Sequence, residues 1–498
     1  MKILLMDFSS DIGLSGIRCL SSYLKKNGHE VYLFFSPLIN SDDPTTSRLS
    51  DRYDFKESQE DIQQIVDFIK KLNPKLIGVS LSTAFYNRAT DITKAIKKEL
   101  DVLIIWGGIQ PSMSPENCLE HADMLSIGEA EEPFLELANK IENGEDYYSI
   151  QSIWFRKNNE IIKNPIHPLV EDLDKYPYPD YDLKAQYILH NGKIKNLNMD
   201  LLQEYIAPYF NTKGIYRIMC SRGCPFSCSY CYHSAAPNIY PNKQKYHRRR
   251  SVEHIIGELE WVKNNLSFVK LIRIVDDSFI STSDEWIKKF SEEYKKRVGL
   301  PFSCLVYPMT IKPQKIDWLY DAGMRHVQMG VESCERVNKE IYNRNTTDKQ
   351  VLDAVKILSS KKGLMCEYDM IIDNPYETNE DKINKIKLVL QFPKPYILTL
   401  YSLVMYKPTP LYYKAKEDGK LSSEEEAYHK NMTYTNNEYL NSLLLLTPLL
   451  PKKAVSYLLD KDDDFHKSSL NLLRHLIFDF AIKLPVPIKN ALKVVVPN

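Results

Sequence analysis

Cys224, Cys228 and Cys231 share one short run, Gly223-Cys-Pro-Phe-Ser-Cys-Ser-Tyr-Cys231, and no other feature narrows this chain as far. The spacing C-x3-C-x2-C sets three thiolates on a single loop, close enough to hold three corners of a cubic iron–sulfur cluster. Tyr232, His233 and Ser234 follow, so no adjacent residue supplies a fourth thiolate. One iron of such a cluster stays open to a small molecule. A zinc site usually takes four ligands on paired C-x2-C knuckles, and this loop has one such pair. Cys220 is the nearest further candidate ligand, and it reads instead as the small residue ending a strand over 215–220. Nine cysteines is an odd number and the other six are scattered singly, which disfavours disulfides. The apolar run Met1–Asp7 is too short for a signal peptide. A reducing, cytoplasmic setting is therefore expected for the thiols.

The chain has 498 residues, enough for two or three domains with cores of their own. Its 65 basic and 65 acidic residues balance, so no global field draws nucleic acid to it. His247-Arg-Arg-Arg250 is a local basic patch, read as a solvated turn or a contact for a cofactor carboxylate. No stretch reaches the roughly 18 apolar residues of a membrane span. Neither a fixed-period repeat nor a low-complexity block is found.

Through about residue 145, strands and helices alternate. Lys2–Met6 reads as a buried strand, an amphipathic helix runs to about Lys26, Gly28 ends it, and Glu30–Phe35 is the next strand. Leu76–Ser82 and Val102–Trp106 add two more. Near-continuous apolar strands separated by helices predict a parallel sheet covered on both faces. Such sheets bind ligands at the carboxyl ends of their strands. Those ends carry Ser9–Gly13, Ser80–Ala84, the paired glycines Gly107 and Gly108, and further on Ile127–Glu132. Paired glycines let a backbone approach a large ligand closely.

Residues 146–213 are expected to link two domains. Val170–Asp180 is rich in proline and tyrosine and cannot be helical across Pro177 and Pro179, so it reads as an ordered strap. From Gly214 to Tyr412 the alternation resumes, with strands expected at 215–220, 270–275, 302–306, 326–331, 367–372 and 397–403. Six such units would form a partial barrel with its reactive groups at the carboxyl ends of the strands. Residues 413–498 read as helical, and Leu443–Leu450 and Leu472–Pro487 are unusually apolar. They fit helices packed on the barrel mouth, a lid over an apolar substrate, or a surface touching lipid.

The cysteine run, down to the aromatic Tyr230 before the last thiolate, resembles the cluster loop of the radical S-adenosylmethionine (SAM) superfamily. The resemblance implies a 4Fe–4S cluster on Cys224, Cys228 and Cys231 whose open iron chelates SAM. Electron transfer from that cluster would cleave SAM to a 5′-deoxyadenosyl radical. Three further runs match this family. Ile274–Phe279 corresponds to a segment against the methionine part of SAM, where Asp277 or Ser278 would accept from the ammonium. One of the adjacent carboxylates Asp276 and Asp277 is expected to cap a helix instead. Gly330-Val-Glu-Ser333 implies that Glu332 and Ser333 hydrogen-bond the ribose hydroxyls or the methionyl group. Met370–Thr378 stands where relatives carry a glycine-proline-glycine loop near the adenine, with Asp373 and Tyr376 replacing the glycines.

The series of glycine turns at Gly13-Leu-Ser-Gly-Ile17, Asn27–Val31, Gly107–Pro111 and Gly128–Glu132 resembles the N-terminal cobalamin-binding domain of one branch of that superfamily. It implies cofactor contacts from Gly13, Ser82, Gly107, Gly108, Gly128 and Glu129. Many cobalamin proteins ligate cobalt through an Asp-x-His-x-x-Gly loop. Here the only histidines among the first 150 residues are His29 and His121, neither in such a loop and both read as solvent-facing or capping. Cobalamin without a histidine lower ligand is implied, or a domain that keeps the fold and has lost the cofactor.

Together the resemblances imply an α/β protein: a Rossmann-like cobalamin-binding domain over 1–145, a linker strap over 146–213, a partial (β/α)6 radical SAM barrel over 214–412, and a helical region over 413–498. They imply an enzyme that methylates an unactivated carbon, since a radical can take hydrogen from a carbon that no side-chain base could deprotonate. The cofactors would carry the hard steps and the protein would position and shield them. Rival readings are a radical cyclisation, ring contraction or carbon–carbon coupling, an anaerobic cyclase or hydroxylase of tetrapyrroles, and a non-catalytic cobalamin or iron–sulfur sensor. The expected partners are a small-molecule, natural-product or lipid substrate and an electron donor such as flavodoxin or ferredoxin. The sequence identifies no catalytic side chain.

Overall fold

A computed structural model describes residues 1–9, 11–13, 16–37, 57–157, 160–207, 214–421, 423 and 438–459. The chain divides into two compact units: the described parts of Met1–Arg217, Cys231–Ser251 and Met405–Lys430, and those of Ile218–Tyr230, Val252–Val404 and Asn431–Asn498. Each is taken by itself.

The first unit is built on a nine-stranded sheet. Its strands are β1 (Lys2–Asp7), β2 (Glu30–Phe35), β3 (Leu76–Ser80), β4 (Leu103–Gly107), β5 (Met124–Ser126), β6 (Ile153–Lys157), β7 (Glu160–Lys163), β8 (Gln186–His190) and β9 (Lys193–Asn196), in the spatial order β7-β6-β5-β4-β3-β1-β2-β8-β9. The first four fall where the apolar runs predict them. β1 to β5 and β8 pair in parallel, while β6, β7 and β9 join at the two edges by antiparallel pairing. Leu4, Met6, Ile77 and Trp106 on one face and Ile3, Leu5, Leu33 and Ile105 on the other are at most 1% exposed, because both faces are covered and leave no solvent side for polar residues. The strand order reverses between β3 and β1, and that switch point is where an open α/β sheet leaves a crevice at its carboxyl ends.

The stretch expected to link two domains instead supplies β6 to β9. Its tyrosines pack as the strap reading requires. Tyr176 meets Tyr23 edge-on at 5.2 Å, and the Tyr181 hydroxyl donates to the Gly13 carbonyl at 2.8 Å.

A six-stranded sheet runs in simple sequence order: β10 (Ile215–Ile218), β11 (Leu271–Ile274), β12 (Phe302–Val306), β13 (Met324–Glu332), β14 (Met365–Ile372) and β15 (Ile397–Ser402), of which β11 to β15 lie in the second unit. Pairing is parallel from β11 to β15. Parallel strands in sequence order, joined by right-handed crossovers, take their connecting helices on one face. Val327, Met329, Tyr368, Met370 and Leu398 on that face are at most 1% exposed. The six expected strands match the observed ones to within two residues. The helix Tyr439–Leu446 buries Leu443 to Leu446 in the same unit, in line with packing on the barrel. The apolar stretch at 472–487 lies outside the described residues. Among the described residues, no helix is long and apolar enough to cross a membrane.

Candidate functional site

The loop bearing the thiols is anchored at its entry by a carboxylate that the sequence offered as a helix-cap candidate. Asp276, just past β11 and 1% exposed, accepts from the Cys220 backbone N–H and the Ser221 hydroxyl, both at 2.6 Å. Cys220 itself is fully buried. Neither Asp276 nor Asp277 caps a helix, contrary to expectation, because Ser283 caps the helix Asp284–Glu293 by accepting from Trp286 N–H. The rest of the loop is braced from across the sheet. Phe226 stacks on Tyr307 at 4.1 Å. Ser229 donates its backbone N–H to the Tyr342 carbonyl at 2.9 Å and its hydroxyl to the Ile341 carbonyl at 2.6 Å.

Cys228 is buried, Cys224 is half-buried, and Cys231, also half-buried, opens the stretch that groups with the first unit. Burial, with the Asp277 and Cys228 charges, pushes the Cys224 thiol up to about 12. Iron must therefore displace a proton there, and loading releases it. Among the described residues, no three His, Cys, Asp or Glu side chains converge as ligands of a single ion would. A cubane takes its thiolates at separate corners and does not need such convergence. Soft sulfur donors beside a buried guanidinium suit an anionic cluster, so the residues present fit one.

That guanidinium is Arg344, 5% exposed. It donates to Cys228 Sγ at 3.6 Å, Tyr230 Oη at 3.2 Å and the Gly330 carbonyl at 2.7 Å. It also lies 3.7 Å from Glu332 Oε1 and 4.4 Å above the Tyr307 ring. Glu332 ends β13 with φ at 67°, a left-handed conformation unusual for a residue with a Cβ. Burial raises its carboxyl above the usual range, against the opposing pull of Arg344 and a hydrogen bond from Tyr230. The structure thus brings Cys228, Tyr230 and Glu332 together. Ser333 turns elsewhere: it is fully buried and its hydroxyl donates to Glu377 at 2.6 Å, which leaves it no face for a ligand. Ser278, 4% exposed, shares its hydroxyl with Ser281 at 2.5 Å. Asp277 is exposed beside Cys224. Asp373 has φ at 59°, the backbone that a glycine in its place would adopt freely.

The face of the second sheet away from its helices is polar. His326 pairs with Glu367 at 3.0 Å, and Glu367 accepts from Thr399 at 2.7 Å. One step along, Arg273 donates to Gln328, which donates to Asp369 at 2.7 Å. Burial beside Glu367 and Glu332 pushes the Asp369 carboxyl well above its usual range. Its Oδ1 and the hydroxyl of Ser303, 1% exposed, have no hydrogen-bond partner. A polar residue at every second strand position was the available sequence signal for these rows.

At the strand ends of the first unit the glycines divide. Gly13 is shaped by packing, since a Cβ there would meet Ile206 at 2.4 Å. Gly108 (φ 97°) lies against the Leu81 backbone, and Gly128 (φ 83°) lies under the Tyr240 hydroxyl. Gly107 has nothing nearer a Cβ than Ser126 at 3.6 Å. Glu129 pairs with Arg248, which also donates to the Val170 carbonyl at 2.7 Å, so this arginine of the basic patch is neither solvated nor open to a ligand carboxylate. The Ser82 side chain makes no capping bond. The Ser126 hydroxyl, on a residue 1% exposed at the end of β5, has no partner. A buried hydroxyl left unpaired at the strand ends fits a polar ligand reaching between them. His29 directly precedes β2 and His121 lies three residues before β5, both at the opposite ends of those strands. Contrary to expectation His29 is buried, bonded to the N-terminus at 3.1 Å and Asn139 at 3.0 Å, and His121 packs 5.8 Å from the Trp106 and Tyr86 rings.

Residues 1–138 match the B12 binding domain family, and residues 218–386 match the radical SAM superfamily. The chain belongs to the cobalamin-binding radical SAM superfamily. Its cofactors are a 4Fe–4S cluster, SAM and cobalamin. An uncharacterised methyltransferase of Pyrococcus horikoshii is 25% identical over 350 residues, 70% of each chain. An anaerobic magnesium-protoporphyrin IX monomethyl ester cyclase of Rubrivivax gelatinosus is 23% identical over 413 residues, 78% of this chain and 63% of the cyclase. The cobalamin-dependent SAM radical enzyme OxsB, solved with aqua-cobalamin and SAM bound, shares the fold at a TM-score of 0.66 and 16% identity, over 97% of this chain and 72% of that one.

Proposed function

We propose that this radical SAM enzyme is a cobalamin-dependent methyltransferase acting on an unactivated carbon of a small molecule. The observation that carries the reading is the union of a B12 binding domain and a radical SAM domain in one chain. Bound together, these cofactors supply a carbon-centred radical and a transferable methyl group. Cys224, Cys228 and Cys231 hold the cluster, four and then three residues apart on one loop. Tyr230, Glu332 and Asp277 border SAM, with Ser278 and Ser333 supporting the strand ends from beneath. Ser82, Gly107, Gly108 and Ser126 border cobalamin, and Gly128 and Glu129 keep that edge closed through Tyr240 and Arg248. The rows of polar side chains, with unused hydrogen-bonding capacity on Asp369 and Ser303, support a hydrogen-bonding natural product over a wholly apolar lipid. Electrons enter from a small carrier such as a flavodoxin or ferredoxin.

The 23% identity to a tetrapyrrole cyclase across 78% of this chain favours a second reading, radical cyclisation without methyl transfer. Anaerobically reconstituted enzyme, given SAM, reductant and a small-molecule extract, separates the two. Methyl transfer yields S-adenosylhomocysteine beside 5′-deoxyadenosine. Extract-dependent 5′-deoxyadenosine without S-adenosylhomocysteine would sink the methyltransferase reading.

A further inference from the structure

We infer that Arg344 is a positioning residue for the iron–sulfur centre: it holds positive charge against the Cys228 sulfur and thereby raises the cluster's reduction potential. The inference rests on the reading of Cys228 as a cluster ligand. Arg344 lies 116 residues from Cys228 and belongs to no motif of the sequence, yet five groups of one unit meet its guanidinium. Nη1 points at the Cys228 sulfur and the Tyr230 hydroxyl, while Nη2 is fixed by the Gly330 carbonyl. The Tyr307 ring lies against the guanidinium plane and itself carries Phe226 of the thiol loop on its face. Among the described residues Glu332 is the carboxylate paired with it, at 3.7 Å and beyond hydrogen-bond reach. The Nη1 and Nη2 N–H groups are thus committed to the sulfur, the Tyr230 hydroxyl and the Gly330 carbonyl, and the charge stands against the sulfur.

Reduction adds one electron to the cluster and no bond to the protein. A fixed cation within hydrogen-bond reach of a ligand sulfur stabilises the more negative, reduced form more than the oxidised one. Arginine suits the position because it stays charged and its planar fork reaches sulfur, hydroxyl and carbonyl at once. A residue that only bolted the loop to β13 would not need its charge. The charge dependence of the potential is what distinguishes the two roles.

The test is a reductive titration of the anaerobically reconstituted full chain, followed by the electron paramagnetic resonance signal of the reduced cluster. Arg344→Gln should lower the reduced-to-oxidised ratio at a given potential at least tenfold, 59 mV for one electron, with iron and sulfide content unchanged. Arg344→Lys keeps the charge but loses the fork, and should fall between the two. If Arg344→Gln fails to fold or to take up iron, Arg344→Met, which also removes the charge, decides: a lowered potential in the cluster-loaded variant supports the inference and an unchanged one overturns it. A potential unchanged in cluster-loaded Arg344→Gln, with only thermal stability reduced, would make Arg344 a bolt and nothing more. Wild type that takes up no cluster through Cys228 would overturn the underlying reading instead.

Discussion

Glu377 and Lys385 form an ion pair 2.7 Å long with side chains 0% and 1% exposed, and breaking it from either side should loosen the ends of β13 and β14. Lys385 also donates to the Ile371 carbonyl at 2.7 Å, and Glu377 accepts from Ser333, the residue after Glu332. At an effective dielectric of about 20, two unit charges at that separation attract by about 6 kcal/mol. Removing both from water costs several kcal/mol per ion, so the net value of the intact pair is near zero. Losing one partner is different, because the remaining charge stays buried. Lys385→Met or Glu377→Gln alone should each cost about 3–5 kcal/mol. The double variant should cost about 3 kcal/mol less than the sum of the singles, because no charge is then stranded. Hydrogen exchange read by mass spectrometry on peptides from 324–332 and 365–372 measures the opening free energy of these strands directly. Single effects that add to within about 0.5 kcal/mol would refute the argument, and with it the claim that this pair supports the strand ends.

Three further outcomes are expected. Replacing Cys224, Cys228 and Cys231 together by alanine should abolish both iron content and SAM cleavage; a full cluster in that variant would move the site, with Cys220 the first suspect. The cob(II)alamin form should show no nitrogen superhyperfine splitting from a protein histidine in its electron paramagnetic resonance spectrum. Such splitting would implicate a histidine beyond the first 150 residues, with His167, in the cleft beside Glu129 and Tyr240, examined first. Glu332→Ala should weaken SAM binding about tenfold or more with the cluster retained, since a hydrogen bond to a charged group contributes roughly 1.5–3 kcal/mol. Glu332→Gly should bind SAM as poorly but fold more stably than the alanine variant by about 1 kcal/mol, because glycine relieves the left-handed φ. Unchanged affinity in both would remove Glu332 from the SAM site.

The sequence by itself determined the apolar strands β1 to β4 and β10 to β15 and the kind of chemistry. Apolar runs such as Ile3–Met6 and Leu76–Val79 have one comfortable fate, the middle of a parallel sheet, because nothing in them can face water. The thiol spacing is likewise local, since four residues of chain keep Cys224 and Cys228 on one loop that can turn both sulfurs to one cluster. What the tertiary structure decided is the environment of those groups. Arg344 comes to the thiol loop from 116 residues away and nothing nearby in the chain marks it, while Asp276, 56 residues from Cys220, read as a helix cap until folding set it at the loop's entry. His326, Gln328, Glu367 and Asp369 stand on one face because β13 and β14 pair in a fixed parallel register, and a slip of one residue would turn them into the helices. Gly13 and Glu129 look like ligand contacts when read along the chain, but Ile206 and Arg248, distant in sequence, already occupy them. Spacing records what a short segment can bind, whereas the charge, burial and occupancy around it belong to residues that only folding brings near.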